Sequence, residues 1–282
     1  MTTSTAPAVT HSRAGLAGQL AALGVEPGGV LLVHASMRAV GPVSGGAGAV
    51  AGALRDALGA DGTLVVPAFT PENSDTSPHY LDRVRGLDDR GREAVRAGMP
   101  PFDAATSPAP SMGRLAEAVR LGPGAVRSGH PQTSFAAVGP WAPNLLANHR
   151  PDCHLGEDSP LARLYESRAQ VLLLGAGFGT CTAFHLGEYR VPDPPRRTYR
   201  CVVTAGGLRQ WWEYEDVALD DSDFAALGAD FTRACGPLVR TGPVGSSTSR
   251  LFRITDAVDF ATHWLPPHRA PAPLRALCSE HG

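Results

Sequence analysis

Lysine is absent from this chain, since all 25 positions that carry lysine or arginine are arginine. The absence excludes reactions that need a lysine amine, including Schiff-base and pyridoxal-phosphate chemistry. It also excludes the GK[ST] phosphate loop of nucleoside triphosphatases and the strand lysine of protein kinases. Several large enzyme classes are therefore ruled out before any motif is considered.

Cysteine is scarce as well. The five cysteines are odd in number, widely spaced and never arranged as C-x-x-C: Cys153, Cys181, Cys201, Cys235 and Cys278. This spacing argues against a disulfide framework and against a zinc site. We therefore expect a reducing, cytoplasmic compartment and no bound metal.

Long apolar runs and an excess of positive charge are also missing. No run approaches the roughly 18 apolar residues of a membrane helix, and the N-terminal MTTSTAPAVTHSR lacks the basic and apolar regions of a signal peptide. The formal net charge is −2 at pH 7, which leaves no broad basic surface for nucleic acid. We expect neither a membrane nor a nucleic acid as partner, and the sequence leaves monomer and homodimer open.

Glycine (32) and proline (25) are abundant and spread along the chain, which is typical of many tight turns. Residues 1–12 are small, polar and without periodicity, and we predict a disordered tail there. Residues 13–282 are predicted to form a single α/β domain. Helices and buried strands alternate in its first part, at 14–24, 30–34, 48–58 and 63–67. This alternation predicts an α/β fold with a mainly parallel central sheet and flanking helices.

The regular pattern is interrupted over 71–110, apart from one predicted helix at 89–97. A loop excursion of this length in a compact domain is often a binding segment. Further helices are predicted at 113–121, 141–148 and 161–166, and strands at 134–138 and 171–175. The C-terminal hairpin region, 199–265, is predicted to carry two hairpins and a helix at 224–231. It would form a partly antiparallel extension.

The spacing Thr182-x-x-His185-x-x-Glu188 directly follows the strand at 171–175. Active sites of α/β proteins lie at the carboxyl ends of strands. If Thr182 begins a helix, His185 and Glu188 lie one turn apart on one face, where the carboxylate can orient the imidazole. Such a pair can take a proton from an incoming nucleophile. The alternative is a surface pair that only stabilises the helix.

Other residues offer rival chemistry. Cys181 could be a thiol nucleophile, although a cysteine beside an apolar strand is more often a buried filler. The glycine-rich turns 41–48 and 175–179 could cradle a phosphate. Neither is followed by the acidic residue of a dinucleotide site, so a plain turn is the simpler interpretation of the second. Polar residues after the first strand, 34–38, and around His130 are compatible with structural roles.

Six blocks occur in order over about residues 15–190: LLVHASMRAVGPVSGG, ALRDALGADGTLVVPAFT, PPFDAATSPAPSMGRLAEAVR, GAVRSGHPQTSFAAVG, GEDSPLARLYE and VLLLGAGFGTCTAFHLGEYR. Together they resemble the aminoglycoside 3-N-acetyltransferase family, which acetylates an amine of 2-deoxystreptamine from acetyl-CoA. The resemblance implies direct transfer without metal, with His185 and Glu188 as the general base. It also implies that acetyl-CoA, the co-substrate, contacts seven residues: Ser36, Met37, Arg38, Val43, Gly45, Gly46 and Ser107.

One departure concerns the acceptor. Members of the family that confer resistance continue after the hairpin with F-x-D-I-D-[ST]-S, whereas this chain reads EYEDVALDDSDFAALGADF. The carboxylates persist with a different spacing, so the acidic run 213–223 is either a solvated surface or a mouth for a polycation. We predict that Asp75, Glu215 and Asp216 border the amine site.

The most favoured acceptor is the 3-amino group of an aminoglycoside, in antibiotic resistance or biosynthesis. A different biosynthetic amine stays open, as do a Cys181 acyl-enzyme and a non-catalytic module that binds CoA.

Overall fold

The computed structural model describes residues 9–269 of the chain. Its strands are β1 (Val30–Ala35), β2 (Thr63–Pro67), β3 (Val126–Arg127), β4 (Phe135–Val138), β5 (Gln170–Leu174), β6 (Arg196–Ala205), β7 (Leu208–Val217), β8 (Arg240–Val244) and β9 (Ser247–Arg253). Its helices are α1 (Arg13–Leu23), α2 (Met37–Val40), α3 (Gly46–Leu58), α4 (Pro78–Arg83), α5 (Asp89–Ala97), α6 (Gly113–Arg120), α7 (Ala142–Leu146), α8 (Pro160–Glu166), α9 (Ala183–Arg190), α10 (Phe224–Ala234) and α11 (Ile254–Arg269). Short 3₁₀ turns lie at Pro71–Asn73, Pro110–Met112, Phe178–Thr180 and Gly236–Leu238. Over residues 9–269, no helix is both long and apolar enough to cross a membrane.

Within residues 9–269, seven strands form the main sheet in the order β3-β4-β2-β1-β5-β9-β8. At its centre β1 is parallel to both β2 and β5. β4 and β9 run antiparallel to the centre, and the outer strands β3 and β8 reverse direction again. Five of these seven strands therefore share one direction. The predicted α/β class, with a mainly parallel sheet and a C-terminal antiparallel extension, is confirmed.

The two faces of the sheet bury different apolar layers because successive side chains of a strand point to opposite sides. Leu32, Val171 and Leu173 face a layer that includes residues of α8 to α11. Leu31 and Leu172 face the other layer, to which α1, α3 and α6 contribute. Both faces of the central strands are buried, which explains their continuous apolar sequence.

Local capping residues explain several predicted boundaries. The hydroxyl of Ser12 accepts a hydrogen bond from the amide of Gly15 at the start of α1, and Gly24 ends that helix at φ 105°. Ser159 and Pro160 begin α8. The predictions of α1, β2, α5, α8 and the β6–β7 hairpin are confirmed, with shifts of a few residues at most ends.

The excursion 71–110 packs against the β6–β7 hairpin. Ser74 forms an isolated bridge with Cys201, and Phe102 forms one with Val203. Tyr80, Val84 and Met99 bury apolar surface against Val202. The excursion and the hairpin thus support each other beside the main sheet.

The predicted tail and the last residues are only partly described. His11 forms a bridge with Val43, and its amide donates to the carbonyl of Pro42. Residues 1–8 and 270–282, with Cys278, lie outside the described residues. The division into a tail and one domain therefore stays a prediction.

Candidate active site

A cleft of about 550 Å³ lies at the carboxyl ends of the parallel strands β1, β2 and β5. Its walls include residues 33–36 at and just after the end of β1, Pro67 at the end of β2 with Phe69 after it, and most of the turn 175–182 after β5. Met112 and Phe224 close its sides. Parallel strands bring their carboxyl ends to one edge of the sheet, which is where α/β proteins form sites.

His185 and Glu188 lie together on α9 and are both buried. Nδ1 of His185 lies 2.6 Å from Oε2 of Glu188, and the ring packs 4.7 Å from that of Phe224, centroid to centroid. His185 also lines the cleft. With its Nδ1–H donated to the carboxylate, the imidazole keeps the Nε2 lone pair, and none of residues 9–269 hydrogen-bonds that nitrogen. The predicted pair is thus brought together at the cleft.

The second oxygen of Glu188 is also engaged. Oε1 accepts a hydrogen bond from the amide of Asp220 at 3.1 Å and another from Nη1 of Arg269 at 2.5 Å. Only 3 % of the Glu188 side chain is exposed. A buried carboxylate needs such donors and a countercharge, and this one has both.

His34, at the end of β1, is a second histidine of the cleft. Its Nε2 lies 3.2 Å from Oγ1 of Thr182. Burial, with a smaller contribution from the nearby His185, lowers the pKa of His34 to about 4. The imidazole is therefore neutral at neutral pH. Thr182 precedes α9 as predicted, but its hydroxyl bonds His34 instead of capping the helix.

Cys181 lines the same cleft but is poorly suited to nucleophilic attack. Cys181 is fully buried, and burial raises the pKa of its thiol to about 12. The thiolate is the nucleophilic form of cysteine. Burial and the raised pKa argue against the Cys181 alternative and favour the interpretation of this residue as a buried apolar filler.

Of the seven residues expected at acetyl-CoA, Ser36 lines the cleft. Met37 and Val43 pack partly against the apolar core, while Arg38, Gly45 and Gly46 are exposed. Gly45 and Gly46 begin α3 with positive φ and no side-chain cap. Ser107 accepts a hydrogen bond from the amide of Asp103 in the excursion. The structure brings Ser36 to the cleft, and contacts of the other six with a cofactor stay predictions.

Two of the three predicted amine ligands are engaged in internal contacts. Asp75 is 4 % exposed and pairs with Arg96 at 3.0 Å and with Arg200. Asp216 accepts hydrogen bonds from the amide of His154 at 2.7 Å and from Tyr189. Neither residue lines the cleft. These contacts indicate structural roles, and a direct contact of either with an amine stays a prediction.

Glu215 is exposed on β7, and its contact with an amine likewise stays a prediction. Asp221, farther along the acidic run, lines the cleft with His185 and is exposed. The sequence places Asp221 in the acidic run, but its spacing does not separate this carboxylate from its neighbours. The turn 175–179, which the sequence favours as a plain turn, also lines the cleft.

A cluster of three buried histidines, His130, His149 and His154, lies outside the lining of the cleft. The ring of His130 lies 4.8 Å from that of His149 and 4.6 Å from that of His154. Burial is the main cause that lowers the pKa of all three, to about 4 for His149 and about 3 for His154. The cluster is neutral at neutral pH. In the part of the chain that the structure describes, no group of three or more His, Cys, Asp or Glu is arranged to hold a metal.

Comparison with known proteins agrees with this fold. The family model described as aminoglycoside 3-N-acetyltransferase matches residues 32–266. The protein is thus an enzyme of the acyltransferase class. More narrowly, the chain belongs to the aminoglycoside 3-N-acetyltransferase family.

Similar proteins and solved structures match this chain over most of its length. Aminoglycoside N(3)-acetyltransferase VIII of Streptomyces fradiae is 40 % identical in an alignment of 272 residues that covers 91 % of this chain and 92 % of the relative. The crystal structure of the YokD protein from Bacillus subtilis is 36 % identical, with a TM-score of 0.82 over 89 % of this chain and 96 % of that one. AAC-IIIb in its binary complex with CoASH is 32 % identical, with a TM-score of 0.78 over 94 % of this chain and 100 % of that one.

Proposed function

We propose that this enzyme transfers an acetyl group from acetyl-CoA to a primary amine, with His185 as general base and Glu188 as its orienting carboxylate. The observation that carries the proposal is the buried 2.6 Å contact between the two side chains at the wall of the cleft. Family membership supports the same reaction class.

The proposed transfer is direct. An ammonium group has no lone pair for attack, so a base must hold the amine in its neutral form and take its proton as the new bond forms. Nε2 of His185 accepts that proton while the amine nitrogen bonds to the thioester carbonyl carbon. The carbon–sulfur bond then breaks, and the proton returns from the imidazolium to the leaving CoA thiolate.

Acetyl-CoA is the proposed donor because a relative of this fold, AAC-IIIb, is described in complex with CoASH. Ser36 lines the cleft, and α3 starts at Gly45 and Gly46 without a side-chain cap. Helix starts favour anions such as the phosphates of CoA. Arg38 adds an exposed positive charge to the same segment.

The proposed acceptor is the 3-amino group of a 2-deoxystreptamine aminoglycoside. Such a polycation favours a site with exposed carboxylates, and Asp221 supplies one at the cleft. A different biosynthetic amine is the second candidate, because the acidic run has a different spacing from F-x-D-I-D-[ST]-S.

The test is an assay of thiol release from acetyl-CoA with a panel of aminoglycosides, diamines and monoamines. We expect release that depends on an aminoglycoside and falls by about 10²-fold in His185→Ala. His79→Ala, at an exposed histidine of α4, is the matched control and should match the wild type. Equal rates for His185→Ala and wild type would refute the base assignment, and turnover confined to a monoamine would select the second acceptor.

A further inference from the structure

The last residue of α11, Arg269, reaches across to α9. Its Nη1 lies 2.5 Å from Oε1 of Glu188, the oxygen that does not face His185. The two helices approach closely at Gly187, where an added Cβ would lie 2.7 Å from the Cβ of Ala261. This close packing of α9 on α11 is what brings an arginine distant in sequence to the carboxylate.

The same guanidinium group holds the acidic segment before α10. It forms two hydrogen bonds with the carboxylate of Asp223, at 2.6 and 2.7 Å, and one with the carbonyl of Asp220 at 2.5 Å. Asp221, which lines the cleft, lies between these two residues. Arg269 therefore connects the orienting carboxylate of the site with the segment that carries the proposed amine ligand.

The balance of charge around Glu188 depends on Arg269. Burial by itself would lower the pKa of the guanidinium, but its hydrogen bonds to Asp223 and Glu188 raise it overall, so the positive charge is permanent. The Glu188 side chain is only 3 % exposed. Without Arg269, the imidazole of His185 would be the main group able to offset the negative charge of this carboxylate. An uncompensated buried carboxylate favours the protonated form of a neighbouring imidazole.

We propose that Arg269 is a positioning residue for the transfer, acting through Glu188. It fixes the carboxylate toward His185 and offsets its negative charge, so that the imidazole is held with Nε2 available to the amine. The inference rests on the proposed role of His185 as the base.

Other titratable and charged groups lie near the pair on several neighbouring elements. They are His34 of β1, His154 before α8, Tyr199 of β6, Asp220 and Asp221 before α10, and Arg269 of α11. The two histidines are neutral at neutral pH. Arg269 is thus the positive charge in direct contact with Glu188 among the described residues.

The test is the pH profile of kcat/KM with the full chain. In Arg269→Gln, we expect the acid limb to move up by about 0.5 to 1 pH unit and the rate at neutral pH to fall about tenfold, mainly in kcat. Arg269→Lys keeps a positive charge and should recover most of the loss. Arg233→Gln, which removes an exposed arginine that pairs with Asp230 on α10, should match the wild type.

Two further variants separate electrostatic positioning from support of the fold. In Asp223→Asn, Glu188 becomes the only carboxylate paired with Arg269, so the acid limb of the pH profile should move to lower pH. This variant tests the inference even if Arg269→Gln does not fold. In a Glu188→Gln background, Arg269→Gln should shift the profile no further, because the carboxylate it acts through is gone.

Any one of three results would overturn the inference. The acid limb could stay in place in folded Arg269→Gln, or it could stay in place or move up in Asp223→Asn. It could also still shift when Arg269→Gln is added to Glu188→Gln. These results leave the proposed function intact if His185→Ala and Glu188→Gln lose activity. If both of those variants are as active as the wild type, the proposed function itself fails.

Discussion

Nδ1 of His185 lies 2.6 Å from Oε2 of Glu188, and both residues belong to the same turn of α9. In the proposed mechanism, this contact holds the ring so that its other nitrogen acts on the amine at the cleft. Glu188→Gln keeps the size of the side chain but replaces the ionised carboxylate by a neutral amide. We expect kcat to fall by about 10²-fold, because the amide no longer favours the ring tautomer or the imidazolium formed during transfer.

Binding of the donor serves as the control for Glu188→Gln. CoA that binds only the native state raises its stability by about 2.7 kcal/mol at a hundred times the dissociation constant. The thermal shift with CoA should therefore be equal in variant and wild type. A lost shift would place Glu188 in donor binding instead of orientation of the base.

Cys181 provides a direct test of the rival acyl-enzyme route. The thiol is buried and its pKa is raised to about 12, so Cys181→Ala should keep most of the rate and lose some stability through the missing sulfur atom. Intact-mass measurement after incubation with acetyl-CoA should show no acetylated protein. An adduct present in the wild type and absent in Cys181→Ala, together with loss of activity, would support the thiol route.

Two variants distinguish an acidic residue that contacts the acceptor from one that supports the fold. Asp221→Asn removes an exposed carboxylate from the cleft, so KM for a polycationic acceptor should rise and become less dependent on salt, with KM for acetyl-CoA nearly unchanged. Asp75→Asn instead breaks buried contacts with Arg96 and Arg200, and should lower the melting temperature with little effect on either KM. If Asp75→Asn raises the acceptor KM as Asp221→Asn does, Asp75 contacts the amine as its position in the sequence predicts.

The sequence was sufficient for features that are local along the chain. His185 and Glu188 are three residues apart, so a helix alone brings them together. The apolar runs of β1, β2 and β5 likewise predict strands that are buried on both faces. Their common edge then predicts where the site lies.

Contacts between distant segments could not be predicted in this way. Arg269 is 81 residues from Glu188, and His34 is 148 residues from Thr182. These pairs form only because α11 packs on α9 and β1 pairs with β5. The sequence offers no prediction for α11, which contains Pro266 and Pro267 although proline is unfavourable within a helix. Burial of Ala257, Val258 and Ala261 against the core supports that helix.

We expect the three-histidine cluster to make the stability of the protein depend on pH. His130, His149 and His154 have lowered pKa values in the folded protein because they are buried, whereas an unfolded histidine has its ordinary value near 6.5. Their contribution to stability is therefore fully present above about pH 6.5 and is lost as the pH falls toward 4 and below, because the unfolded chain binds the protons first.

Each of these histidines should reduce the free energy of unfolding by about 1.4 kcal/mol per pH unit in that range. Denaturant melts between about pH 7 and 4 measure the slope. His149→Gln removes one titrating group and should flatten the dependence, even though it lowers stability at pH 7 through the lost contacts of the ring with the hydroxyl of Ser128 and two backbone carbonyls. His79→Gln, at an exposed histidine, should leave the slope unchanged. An equal slope in His149→Gln and the wild type would show that acid sensitivity arises elsewhere in the protein.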